Sequence, residues 1–150
     1  MSIAQMLVLA TLLTITADRT EIEFTQDSLE VVKENVSKEQ AVLVDVRSKE
    51  EWAKGHIEGS IALPIDSLRK GGDPKEIAKK LPKDKVIYTF CVVGMRAKAA
   101  AKVLVKHGFE VRALKPGYDE LIKAGFKKED ARKSEKSAAA NEDTRQRNAR

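Results

Sequence analysis

The 150-residue chain holds a single cysteine, Cys91, so no disulfide can form within it. Two histidines and that one cysteine are too few for a convincing zinc cluster. Long hydrophobic runs are also missing. The most apolar stretch, Met6 to Ala17, is shorter than the roughly 20 residues that cross a bilayer, so no stable membrane span is expected. There are no internal repeats. No basic face interleaved with aromatic residues is visible either, which argues against nucleic-acid binding. The net charge of +5 is unevenly placed: Lys127 to Arg150 carries eight basic and five acidic residues. Glycine, proline and aromatic residues vanish from that same stretch, and residues 127–150 read as a charged, disordered tail.

What remains is ordinary for one globular domain, with 34% charged and 42% hydrophobic residues. A chain of this size can bury a sizeable core without metal or disulfide, and nothing in it calls for a cofactor. The leader is read separately. Met6 to Ala17 has the length of a signal-peptide apolar region, with Ala17 as the cleavage residue. Met1 to Gln5 lacks lysine and arginine, and Ile15 is not small, so the competing reading is a buried first helix or strand. We read residues 1–17 as a signal peptide, which implies a periplasmic or exported protein; without cleavage the protein is cytoplasmic.

From residue 20 to 126 strand and helix signals alternate. Thr20 to Thr25 alternates, with Ile22 and Phe24 on one side, and suits an edge strand. Asp27-Ser28-Leu29-Glu30 opens a helix to about Asn35. Ala41 to Val46 is a continuous apolar run interrupted only by Asp45, the pattern of a strand buried on both faces. Ser48-Lys49-Glu50-Glu51 is a capping box, with Trp52 on the helix's apolar side as a core anchor. A glycine-punctuated crossing, Gly55 to Pro64, leads to a helix capped by Asp73-Pro74. Lys85 to Phe90 is the next strand, Met95 to His107 an alanine-rich helix closed by Gly108, Val111 to Leu114 a last strand and Gly117 to Ala124 a last helix. Such alternation predicts a parallel sheet covered on both faces, with functional residues at the carboxyl ends of strands. Asp45-Val46-Arg47 and Cys91 to Arg96 both stand at such ends.

Cys91 sits between a strand and a helix N-terminus, where unpaired backbone N–H groups and the helix dipole favour an anion. Gly94 lets the intervening loop bend so that amides converge, and Arg96 adds a permanent positive charge. Together they favour negative charge on the Cys91 sulfur and so a nucleophile. The competing reading is a small buried hydrophobe, since free cysteine is commonly buried. Asp45 and Arg47 stand where they could touch substrate, but charges near a core are usually paired, and they are read as mainly structural, tying the strand end to neighbouring loops. His56 is read as bonded to a backbone group in the glycine-rich crossing. His107 lies near a helix C-terminus, where a cation is favourable.

These pieces together resemble a rhodanese domain. Asp45-Val46-Arg47, Glu51-Trp52, Gly55-His56-Ile57-Glu58-Gly59-Ser60 and Leu63-Pro64 resemble its first half. Cys91-Val92-Val93-Gly94-Met95-Arg96-Ala97 resembles its active loop, Cys-x-x-Gly-x-Arg followed by Ser or Ala. Lys106 to Val111 and Lys115-Pro116-Gly117-Tyr118 resemble the closing segments, so the likeness covers about Thr25 to Phe126. It implies an α/β, three-layer fold around a central, mostly parallel five-stranded sheet. It also implies sulfurtransferase chemistry: Cys91 takes the outer sulfur of a sulfane donor such as thiosulfate as a persulfide, then passes it to cyanide or a thiol. Val92, Val93, Gly94, Met95 and Arg96 then bind the substrate, their amides cradling the charge and Arg96 orienting an anion.

Val92 and Val93 are apolar where many relatives carry polar or basic residues, which weakens the expectation of a strong preference for thiosulfate. With no second cysteine the acceptor must be external, a small thiol or a protein. The oligomeric state is left open. Two other functions compete. A noncatalytic carrier would hold the persulfide for one protein partner through the same loop. A cysteine phosphatase or arsenate reductase would use a loop one residue longer between Cys and Arg, wide enough for a tetrahedral oxyanion. The four intervening residues here suit a sulfur atom better.

Overall fold

A computed structural model describes residues 21–69 and 71–130. The signal peptide expected at residues 1–17 and the tail from 131 onward lie outside the described residues.

Among the described residues, six helical segments and six short strands follow in chain order. Helix α1 (Leu29–Ser37) is capped by Ser28, whose side chain accepts the Val31 amide. Strand β1 (Ala41–Asp45) follows, then α2 (Lys49–Ala53), β2 (His56–Ile57) and β3 (Ile61–Ala62). A 3-10 turn (Ile65–Ser67) leads to α3 (Pro74–Lys80), which has Asp73 as cap and Pro74 as its first residue. The second half holds β4 (Val86–Phe90), α4 (Met95–Lys106), β5 (Val111–Ala113), α5 (Tyr118–Lys123) and β6 (Lys128–Glu129).

The main sheet has the order β3-β1-β4-β5, and all its pairings are parallel. Strand β1 is central, with Ala41 through Asp45 opposite Val86 through Phe90. Because strand side chains alternate, each strand feeds two cores. Val44, Ile87, Leu63, Ile77, Ala97, Ala100 and Leu104 meet on one face, under α3 and α4. Ala41, Leu43, Tyr88, Phe90, Val32 and Leu121 meet on the other, under α1 and α5. This is the expected three-layer arrangement. Alanines on the inner side of α4 let it lie close on the sheet. Buried Thr89 donates its hydroxyl proton to the Ala97 carbonyl at 3.0 Å, so no polar group is stranded there.

Two expectations are corrected. Among the described residues the main sheet has four strands, not five. Within the described part of the expected strand Thr20–Thr25, residues 21–25, pairing is confined to one bridge, Phe24 with Ala113, and the Thr25 amide bonds the Ala113 carbonyl at 2.9 Å. Beyond Thr25 the chain turns, with the Asp27 amide bonded to the Thr25 hydroxyl, and enters α1. The second correction is that order continues past Lys127. Lys128–Glu129 pair antiparallel with His56–Ile57, and the Glu58 amide bonds the Lys127 carbonyl at 2.9 Å. Strand pairing is made by backbone groups, so a stretch without apolar side chains can add to an open edge.

Candidate active site

The carboxyl ends of β1 and β4 lie side by side, Asp45 opposite Phe90. The two loops picked out in the sequence are therefore neighbours. The Val46 amide bonds the Phe90 carbonyl at 3.0 Å and ties the two exits together.

Cys91 leaves β4 and is fully buried, at 0% exposure, among Val44, Val46 and Ala97 on the α3–α4 face. The burial matches the competing reading of a core side chain, but the sulfur also has a polar partner. The Gly94 amide donates to Cys91 Sγ at 3.1 Å. Gly94 caps α4 with φ of 86°, in the left-handed region that glycine enters freely. A Cβ there would also come within 2.9 Å of the Phe24 ring and 3.0 Å of the Lys115 carbonyl oxygen. The far side of the loop is pinned by α5. The Tyr118 amide bonds the Cys91 carbonyl at 2.8 Å, and a Cβ on Gly117 would lie 1.7 Å from the Val92 carbonyl oxygen. Only glycine at 117 lets the chain pass so close.

Three other side chains of the loop face outward. Val92, Val93 and Met95 are 43%, 71% and 66% exposed. Large apolar side chains on an outer surface cost contact with water, which makes three in one loop informative. Arg96 is held differently from expectation. Its guanidinium forms a two-pronged bond to Glu51 of α2, at 2.6 and 3.0 Å. The pair is about a third exposed on each side. Glu51 holds Arg96 above its ordinary range, with a smaller contribution from the nearby Cys91. In return the Arg96 hydrogen bond brings the Glu51 carboxyl down to about 2. Arg96 thus stands beside the sulfur, but its charge is already matched.

Glu51 is the residue that sequence reasoning missed. The capping box explained it fully, and that box is present: Glu51 accepts the Ser48 amide at 2.8 Å and Ser48 caps α2. Its second partner is 45 residues away, and the surplus signal was only that a capping acid stood before a tryptophan. Asp45 and Arg47 behave as expected. Both are buried, and Arg47 Nη2 reaches Asp45 Oδ2 at 2.8 Å and the Gly55 carbonyl at 2.8 Å. The same guanidinium lies 3.9 Å from the centre of the Tyr118 ring.

Two expectations fail here. His56 is buried, yet its Nδ1 has no hydrogen-bond partner, and its Nε2 is 3.7 Å from the Glu129 carboxylate. It does not satisfy a backbone group; its ring lies flat on Trp52 at 3.8 Å between centres. Trp52 is accordingly half-buried and packs on that imidazole instead of anchoring the core. His107 caps the end of α4, where its Nε2 is 2.7 Å from the Gly71 carbonyl. Among the described residues no group of three or more His, Cys, Asp or Glu side chains is arranged to hold a metal ion. No helix among them is long and apolar enough to cross a membrane.

Several known proteins are similar to this chain in sequence or in fold. The chain is 33% identical over 84 residues to the putative sulfur carrier protein YrkF of Bacillus subtilis, covering 55% of this chain and 42% of that protein. It is 40% identical over 83 residues to the uncharacterized protein YibN of Escherichia coli, covering 55% and 56%. It is 29% identical over 99 residues to the tRNA uridine(34) hydroxylase of Hamiltonella defensa, covering 65% and 28%. The matches therefore span about half or less of these relatives' own length. Among solved structures, the BH2092 protein of Bacillus halodurans superposes with a TM-score of 0.59 at 26% identity, covering 73% of this chain and 77% of that one. A rhodanese-related protein of Thermoplasma volcanium gives a TM-score of 0.55 at 27% identity, covering 68% and 94%. The family model for the rhodanese-like domain matches residues 28–124, and the chain belongs to that family.

Proposed function

We propose that the protein is a sulfurtransferase that moves sulfane sulfur from a donor such as thiosulfate to a thiol or cyanide acceptor through a persulfide on Cys91. The observation that carries this reading is the Gly94 amide aimed at Cys91 Sγ at the head of α4, with Arg96 beside it. A helix N-terminus with a directed amide stabilises negative charge on the attacking sulfur and then on the terminal sulfur of the persulfide. The Cys91 sulfur attacks the outer sulfur of the donor, the donor's S–S bond breaks, and sulfite leaves with the bonding pair. An external nucleophile then takes the outer sulfur and restores Cys91. Membership of the rhodanese-like family supports the same chemistry.

The test is turnover with thiosulfate and cyanide, following sulfite and thiocyanate. Wild type should turn over and Cys91→Ser should not. Hydrolysis of an aryl phosphate, with no sulfur transfer from any sulfane donor, would overturn the reading. A second reading, a persulfide carrier serving one protein, is favoured by the Bacillus subtilis relative, whose name is putative sulfur carrier protein. Loading of Cys91 without turnover on any small acceptor would select the carrier.

A further inference from the structure

Cys91 is fully buried while Val92, Val93 and Met95 of its loop are exposed. Only the transferred sulfur atom can go down to Sγ, and the donor's leaving part must stay at the surface against the loop. What the surface there offers is decided by two independent observations. Val92, Val93 and Met95 present apolar side chains outward. Arg96, the loop's own cation, is engaged on both prongs by Glu51, which is itself fixed by the Ser48 amide. The next cation along α4, Lys98, is drawn toward Glu23 at 3.8 Å and over the Phe24 ring. A dianion brought to this rim meets a carboxylate beside every Arg96 hydrogen bond and loses water against valine and methionine. A donor with less charge and an apolar body loses less and gains contact.

We propose that the rim of the Cys91 loop selects sulfane donors of low charge with an apolar leaving group over the thiosulfate dianion, and that Glu51 is the specificity-determining residue. This rests on Cys91 being the sulfur-accepting nucleophile. The step has the same form for each donor, with sulfite leaving from thiosulfate and a sulfinate from a thiosulfonate. Cys91 thiolate attacks the outer sulfur of a thiosulfonate anion, the new S–S bond forms, and the old one breaks with its electron pair going to the sulfonyl sulfur, which leaves as sulfinate. The charge passes to the terminal sulfur of the persulfide, and no outside oxidant or reductant is needed.

Three donors separate charge from apolarity: thiosulfate, a dianion; methanethiosulfonate, a small monoanion; and benzenethiosulfonate, a monoanion with an apolar ring. Single-turnover loading of the full chain is followed by intact mass. The expected order of loading efficiency is benzenethiosulfonate, then methanethiosulfonate, then thiosulfate, with the extremes separated by about tenfold or more. Glu51→Gln removes the matching charge and should raise thiosulfate efficiency by about three- to tenfold, mainly through a lower half-saturating concentration. Val93→Ser, at an exposed position, should narrow the gap between the benzene and methane donors. Equal loading by all three in wild type overturns the proposal, as does a Glu51→Gln variant that slows all donors alike. If Glu51→Gln does not fold, the wild-type order and Val93→Ser still decide. Failure of every donor to load Cys91 would instead sink the sulfurtransferase reading on which the proposal stands.

Discussion

Two arginine–carboxylate pairs flank the carboxyl end of the sheet, and they differ in almost everything but chemistry. Asp45 and Arg47 are two residues apart, buried, and share their remaining bonds with the Gly55 carbonyl and the Tyr118 ring. Glu51 and Arg96 come from distant parts of the chain, are about a third exposed, and lie beside Cys91. The first pair holds the β1 exit to the glycine-rich crossing. The second joins α2 to the Cys91 loop and decides how much charge the loop shows. Burial separates the two roles: a pair sealed from water must stay intact for the fold, whereas one near the surface can be changed at small structural cost.

The sharpest way to break the comparison is to remove one partner of each pair. Arg47→Ala leaves a buried carboxylate without its partner and should destabilise by about 3–5 kcal/mol in urea unfolding. Arg96→Ala should cost stability no more than about 1 kcal/mol, because its partner can turn to water. Its effect falls on sulfur transfer, where efficiency should drop about 10- to 100-fold while the fold is kept. Equal stability losses for the two variants would contradict the division of roles.

Acid sharpens the same contrast. The Arg96 bond holds Glu51 at about 2 against an ordinary 4.5, so the pair's stabilisation is present above about pH 4.5 and is lost as pH falls toward 2. With partial exposure screening it, the loss should be no more than about 1 kcal/mol, measured as a falling urea midpoint. Glu51→Gln should flatten that part of the pH profile. The smallest effect is expected next to both pairs. His56→Phe keeps the stack on Trp52 and removes an unpartnered buried nitrogen, so it should change stability by less than about 1 kcal/mol. A much larger loss would mean that the imidazole nitrogens carry a bond that the geometry does not show.

The structural role of the first pair was legible in the sequence, and the second pair was not. Asp45 and Arg47 stand at the end of one apolar strand, where a charge near the core needs a partner, although residue type alone does not say that each partners the other. The Cys91 loop was legible for a similar reason: strand, cysteine, glycine and helix are consecutive, so backbone geometry follows from residue type. Glu51 already had a complete local explanation as a capping acid, and nothing local points across 45 residues to Arg96. Strand β6 escaped because Lys128 and Glu129 carry no apolar side chain that would mark a strand in the sequence. Trp52 and His56 escaped because each was assigned a partner by residue type, core for one and backbone for the other, when they satisfy each other's ring faces. The missing fifth strand is an alternating pattern that ran only as far as one bridge before α1 began.

The central claim is that Cys91 carries sulfur, and intact mass spectrometry through one load-and-discharge cycle tests it most directly. Incubation with a sulfane donor should add one sulfur atom to wild type and none to Cys91→Ser, and a thiol should return wild type to its starting mass. A wild-type chain that gains no sulfur from any sulfane donor, or a Cys91→Ser chain that gains it equally, would contradict the account.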